Sequence, residues 1–218
     1  MKYLAQGFHI VPANVRIALY IQDKSAMALA EKLKLSADDY LHGEASAQVK
    51  HEYLDGEVWA MVGASDAHVS IAGNLFFVLK QHLKDTPCRV YISDMKVNVA
   101  QANAFFYPDV LVTCEPKDRD NRLFKQHPLF IAEVLSPSTE GFDRGAKFAA
   151  YRQLDSLQHY WLIDSQSQAI DCFERTAQGW LLHSFSNIGD RLPLAGLNIK
   201  LDLSAIYEDV LLDLADQV

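Results

Sequence analysis

Two carboxylates stand among residues that otherwise predict buried strands. Asp109 follows Phe105-Phe106-Tyr107-Pro108 and precedes Val110-Leu111-Val112, and Glu133 lies inside Pro128-Leu129-Phe130-Ile131-Ala132-Glu133-Val134-Leu135. An ionised carboxylate in such a strand is costly unless a metal or a cation pairs with it. The two lie 24 residues apart on consecutive strands, so if those strands are neighbours, both carboxylates can point to one edge of the sheet. A pair of oxygen ligands with an open face suits Mg²⁺ or Mn²⁺, hard ions that retain several waters. Such an ion binds a phosphate oxygen, lowers the pKa of its water and neutralises charge developing on phosphorus. The chemistry specified is hydrolysis of a phosphodiester.

That chemistry also calls for a cation to orient the attacking water, and Lys147 is the candidate. On a helix from about Asp143 to Leu154, Asp143, Lys147 and Tyr151 share one face at i, i+4 and i+8, while Phe142, Ala146, Ala149, Ala150 and Leu154 form the opposite face. The helix follows Glu133 closely enough for its polar face to lean over the carboxylates. Arg144, Arg152, Lys117, Arg119, Arg122 and Lys125 supply local positive charge that a net charge of −8 conceals. That balance opposes a protein coating nucleic acid without specificity.

The surrounding elements are legible from their punctuation. Ser36 caps a short helix around Leu35–Leu41. Asp55-Gly56, between Glu52-Tyr53-Leu54 and Glu57–Met61, predicts a hairpin. From Asp66 to Lys84 the residues Val69, Ala72, Phe76, Leu79 and Leu83 step by three and four, an amphipathic helix carrying His68. Arg89–Val99 predicts a strand, Glu115–His127 a charged loop, and Tyr160–Asp164 a strand with Asp164 as a turn cap. Ile170–Arg175 and Trp180–Phe185 form a second hairpin, and Ala205–Leu214 a closing helix. This order predicts an α/β chain, a mixed sheet flanked by helices, with a right-handed parallel crossover from the Glu133 strand to the Tyr160 strand.

The 218 residues, half of them hydrophobic, suit one domain over 35–218 behind an extension of residues 1–34. The native start is expected at Met27, with an edge strand near Val15–Ile21 as the other reading of the extension. Cys88, Cys114 and Cys172 lack CxxC spacing and suggest neither a disulfide framework nor a zinc site, which points to a reducing cytoplasm. No apolar run approaches the ~20 residues of a membrane span.

Taken together, Pro108-Asp109, Glu133-Val134-Leu135-Ser136-Pro137-Ser138-Thr139, Asp143 with Lys147, and Tyr160-Trp161-Leu162-Ile163-Asp164 resemble the Uma-two endonuclease family of the restriction-endonuclease-like PD-(D/E)XK superfamily. Leu35–Leu41, Glu52–Glu57 and Gly63-Ala64-Ser65 with His68 agree, so the resemblance spans about Leu35 to Ile206. It implies a restriction-endonuclease-like core with flanking helices and added hairpins, acting on DNA. Asp109 and Glu133 would hold Mg²⁺ with the Val134 carbonyl, and Asp143 and Tyr151 would position Lys147. Glu52 would match the acid that the superfamily often carries on its first helix. A homodimer would cut both strands of a duplex. The superfamily pattern places a lysine two residues after the glutamate, where this chain has Leu135. The alternative is therefore a nuclease-fold protein that binds nucleic acid or a partner without cutting.

Overall fold

A computed structural model describes residues 34–61 and 63–213. The Met27 start and the strand near Val15–Ile21 lie outside them. The chain runs through α1 (Ala37–Glu44), β1 (His51–Leu54), β2 (Glu57–Ala60), α2 (Asp66–His82), β3 (Arg89–Ile92), β4 (Lys96–Val99), β5 (Ala104–Phe106) and β6 (Val110–Thr113). It continues through α3 (Pro116–Asp120), β7 (Phe124–Lys125), β8 (Pro128–Leu135), α4 (Glu140–Tyr151), β9 (His159–Asp164), β10 (Ile170–Thr176), β11 (Gly179–Phe185), β12 (Arg191–Leu194), β13 (Ile199–Asp202) and α5 (Leu203–Ile206). Asp143–Lys147, the middle of α4, is a π-helical turn.

The central sheet has six strands in the order β11-β10-β9-β8-β6-β3. β3, β6 and β8 are an antiparallel meander, and β8 and β9 are parallel, joined through α4. Successive side chains of a strand face opposite ways, and β8 divides accordingly. Phe130, Ala132 and Val134 enter a core with Ile71, Leu75 and Leu79 of α2 and Leu192, Leu201 and Ile206 from the C-terminal elements. Ile131 and Leu135 enter a second core with Phe148 and Tyr151 of α4 and with Val97, Val99, Ala104 and Phe106. The last four belong to a five-stranded sheet, ordered β2-β1-β5-β4-β7, which covers that face. Glu133 has the same parity as Ile131 and Leu135 and so faces the second layer.

Local signals explain most of these elements. The Ser36 hydroxyl accepts the Asp39 N–H and the Ser65 hydroxyl the His68 N–H, capping α1 and α2. Asp55 and Gly56 adopt φ of 46° and 91°, the two positive values of a type I′ hairpin turn. A Cβ at Gly56 would also collide with the Lys34 side chain.

Several expectations are corrected. Arg89–Val99 is two strands in different sheets, separated at Ser93, whose φ is 52°. The run Phe105–Val112 is likewise split between β5 and β6, at Pro108, which has no N–H for a ladder. Glu115–His127 contains α3 and β7, and the closing helix is only Leu203–Ile206. The buried stripe of α2 is Ala67, Ile71, Ala72, Leu75 and Leu79, whereas Val69 is exposed. Cys88 and Cys114 form a disulfide. Arg89 pairs with Thr113, so the antiparallel register brings the next residues outward together despite their separation in sequence. Among the described residues no helix is long and apolar enough to cross a membrane.

Candidate active site

The sheet opens where the two carboxylates lie. β6 begins at Val110, opposite Ala132, while β8 runs on to Leu135. Beyond Ala132, the β8 edge that faced β6 lacks a strand partner, and the Val134 N–H there donates to Asp109 Oδ2 at 2.7 Å. Pro108 ends the preceding run, and the Asp109 carbonyl accepts the Ser93 N–H at 2.9 Å. The side chain of Asp109 is thus pinned beside the residue that follows Glu133. In an extended strand the N–H and C=O of one residue point the same way, so the Val134 carbonyl also faces the opening.

From α2, His68 Nε2 meets Asp109 Oδ1 at 2.9 Å. Burial lowers the basicity of His68, but the Asp109 carboxylate outweighs burial and raises its pKa above the ordinary histidine value. Asp109 therefore has a partner on each oxygen.

Lys147 joins the layers. Its Nζ lies 2.9 Å from Glu52 Oε1, 3.1 Å from Glu133 Oε1 and 3.3 Å from Asp143 Oδ1, and 5.8 Å above the Phe106 ring. Three carboxylates thus pair with one ammonium, each within 3.3 Å. Burial acts to deprotonate Lys147, but Glu133, Glu52 and Asp143 win and hold it protonated. The Tyr151 hydroxyl donates to Glu133 Oε1 at 3.1 Å, and the Tyr107 N–H donates to Glu52 Oε1 at 3.0 Å. The Tyr160 hydroxyl holds the Asp143 carbonyl at 3.0 Å.

Placement of the anticipated residues is therefore as follows. Glu133, Lys147, Asp143, Tyr151 and Glu52 form one contact network, and Asp109, His68 and Val134 a second that adjoins it through β8. Glu52 comes from hairpin strand β1, as its sequence context predicts, where the superfamily pattern carries its acid on a helix. The polar face of α4 leans over the carboxylates and is buried, with Asp143, Lys147 and Tyr151 inside and Ala146 and Ala149 exposed, because the charges on that face are paired. Phe106, Tyr107 and Tyr160 were missed as contributors. Their one signal was an aromatic cluster immediately before Pro108-Asp109 and the tyrosine opening Tyr160–Asp164. Leu135, at the superfamily's lysine position, is buried in the second core.

The donors suit a hard divalent cation. Four carboxyl groups stand around the two basic groups Lys147 and His68. Burial pushes the Glu133 carboxyl well above the usual carboxylate range, and Lys147 opposes it. Both Glu133 contacts fall on Oε1, and among the described residues Oε2 carries no hydrogen bond. Among the described residues no group of three or more His, Cys, Asp or Glu side chains is placed to hold a metal ion, so a cation here would have to use two carboxylates, a carbonyl and water.

Residues 37–205 match a family model described as "Uma2: Putative restriction endonuclease". Two curated relatives come from Synechocystis sp. (strain ATCC 27184 / PCC 6803 / Kazusa). Uncharacterized protein slr1290 is 38% identical over 80% of this chain and 92% of its own length. Uncharacterized protein sll1609 is 37% identical over 72% of this chain and 90% of its own. The fold is shared with a crystal structure described as "a putative nuclease belonging to DUF820" from Anabaena variabilis ATCC 29413. The TM-score is 0.68 at 16% identity, covering 81% of this chain and 99% of that one.

Proposed function

We propose that this chain, which belongs to the Uma2 restriction-endonuclease-like family, is a metal-dependent endonuclease that hydrolyses phosphodiester bonds of DNA. The observation that supports this most is the meeting of Lys147 with Glu133, beside Asp109, at the point where β6 and β8 part. Asp109, Glu133 and the Val134 carbonyl would hold Mg²⁺ or Mn²⁺, which when bound supplies charge neutralisation at phosphorus and a more acidic water.

The chain's own residues do the positioning. His68 and the Val134 N–H fix both oxygens of Asp109. Tyr151 fixes Glu133. Lys147 turns the N–H of its longest contact, at 3.3 Å to Asp143, toward the attacking water or a phosphate oxygen. Its fixed charge stabilises the transition state without reorganisation at the moment of reaction. On duplex DNA, which has two strands to cut, a homodimer would be the working unit.

A second reading, a nuclease-fold protein that binds without cutting, is favoured by one observation: three carboxylates already surround the Lys147 ammonium within 3.3 Å. Calorimetry with Mn²⁺ and Mg²⁺, paired with a plasmid-nicking assay, separates the two. The endonuclease reading requires metal binding and metal-dependent nicking by the wild type, both lost in Asp109→Ala/Glu133→Ala. Oligonucleotide binding without metal binding or nicking would establish the second reading.

A further inference from the structure

Glu52 on β1 pairs directly with Trp59 on β2. Directly opposed residues of an antiparallel pair project from the same face, with Cβ atoms about 4.5–5.5 Å apart. Glu52 reaches Lys147, so this is the face turned to the acidic network. The Trp59 indole packs against Phe142 with ring centroids 5.6 Å apart. Phe142 meets Phe106 edge-on at 6.0 Å, and Phe106 lies under the Lys147 ammonium. An aromatic wall thus leads from the buried ammonium outward and ends at Trp59, which is 40% exposed. Trp59 belongs to none of the apolar cores among the described residues.

We infer that Trp59 is a base-stacking residue, its indole taking the nucleobase next to the scissile phosphate. The inference rests on the endonuclease reading and adds the element that carries the nucleotide. A phosphate drawn to Lys147 leaves its attached nucleoside along the wall, and Trp59 is where that wall offers an open ring face. Every base has such a face, so stacking there tolerates any sequence. The patch is too small for a protein partner. Val58 and Ala60 alternate to the opposite face of the hairpin, leaving one indole where a stable protein interface needs about 800 Å² per side. Stacking also demands a base that has left its own stack, so single strands and frayed or mismatched steps are the favoured substrates.

The test measures binding of labelled oligonucleotides, with and without calcium, to the wild type, Trp59→Phe and Trp59→Ala. Each oligonucleotide is paired with one of equal length whose central bases are replaced by abasic sites. The wild type should prefer the base-bearing strand by about tenfold, or about 1.4 kcal/mol, within the range for stacking one base. Trp59→Phe should keep most of that preference, and Trp59→Ala should bind both strands equally and weakly. Equal binding of the two strands by the wild type overturns the stacking role and leaves the endonuclease reading intact. No oligonucleotide binding by the wild type, with or without calcium, overturns both. Should Trp59→Ala fail to fold, Trp59→Leu, which keeps an apolar side chain without a ring, takes its place and should likewise bind both strands equally; a preference as large as the wild type's in that variant overturns the role of Trp59.

Discussion

Glu52 and Lys147 meet at 2.9 Å across the seam between the two large sheets. Glu52 belongs to β1 of the five-stranded sheet, and Lys147 to the helix connecting two strands of the six-stranded one. This contact brings the hairpin, and Trp59 with it, to the Glu133 carboxylate of β8.

Lys147→Met removes the one ammonium shared by Glu52, Glu133 and Asp143. Leaving buried charges unpaired destabilises by about 3–5 kcal/mol. The variant should unfold at a much lower urea midpoint and show no nicking. A midpoint equal to the wild type would mean that the network contributes nothing to the fold.

Glu52→Gln should behave differently. The amide oxygen still accepts from Lys147 and from the Tyr107 N–H, and one carboxyl group of the network becomes a neutral amide. Stability should change by no more than about 1 kcal/mol, while nicking falls as the grip on Lys147 loosens. The same pair of assays reads both effects.

Tyr151→Phe deletes the hydroxyl that donates to Glu133 and keeps the ring that packs edge-on against Phe106 at 5.3 Å. About 1–2 kcal/mol of stability is at stake. Because Glu133 then turns more freely, the midpoint for metal-dependent nicking should move to higher Mn²⁺ concentration. An unchanged metal dependence would remove Tyr151 from the positioning of Glu133.

His159 gives a pH dependence remote from the acidic network. Its Nε2 accepts the Gly196 N–H at 3.3 Å, and burial lowers its pKa below the ordinary value, with Glu174 opposing. Below about pH 6.5 the unfolded chain binds the proton that the folded chain refuses. Stability from this residue is thus complete above that pH and declines as pH falls toward the folded value. Denaturant melts of the wild type and His159→Gln should differ in slope below about pH 6.5 and run parallel above it.

The Cys88–Cys114 bridge closes a separation of 26 residues, a loop for which chain entropy gives about 3–4 kcal/mol. Unfolded under non-reducing conditions, the protein should titrate one thiol, Cys172, which is buried in the native state. Three titrating thiols would show that the cysteines are reduced, as expected of a chain kept in the cytoplasm.

Much of this arrangement was legible because burial and charge conflict in a readable way. Asp109 and Glu133 were marked by their apolar neighbours, and the hairpins by Asp55-Gly56 and Gln178-Gly179. The i, i+4, i+8 row of Asp143, Lys147 and Tyr151 was legible as the face that leans over the carboxylates, and partners from β1 and β8 meet it there. Sequence reasoning failed where two readings share one spacing. On α2 and at its C-cap, Ala72, Leu79 and Leu83 are buried and Phe76 packs against the core as their spacing predicts, whereas Val69 is exposed and Ile71 and Leu75 complete the stripe, since neighbouring sets share helical spacing. The divisions at Ser93 and Pro108 depend on which sheet each half joins, a long-range choice that alternation cannot express.

The division of the network between two sheets has a consequence for the newly made chain. Either sheet formed alone holds an incomplete set: Glu52 without a cation, or Asp109 and Glu133 beside a lysine that lacks its 2.9 Å partner. On the endonuclease reading, a chain in which only one sheet has formed lacks the complete set of residues, and activity requires the two sheets docked on each other.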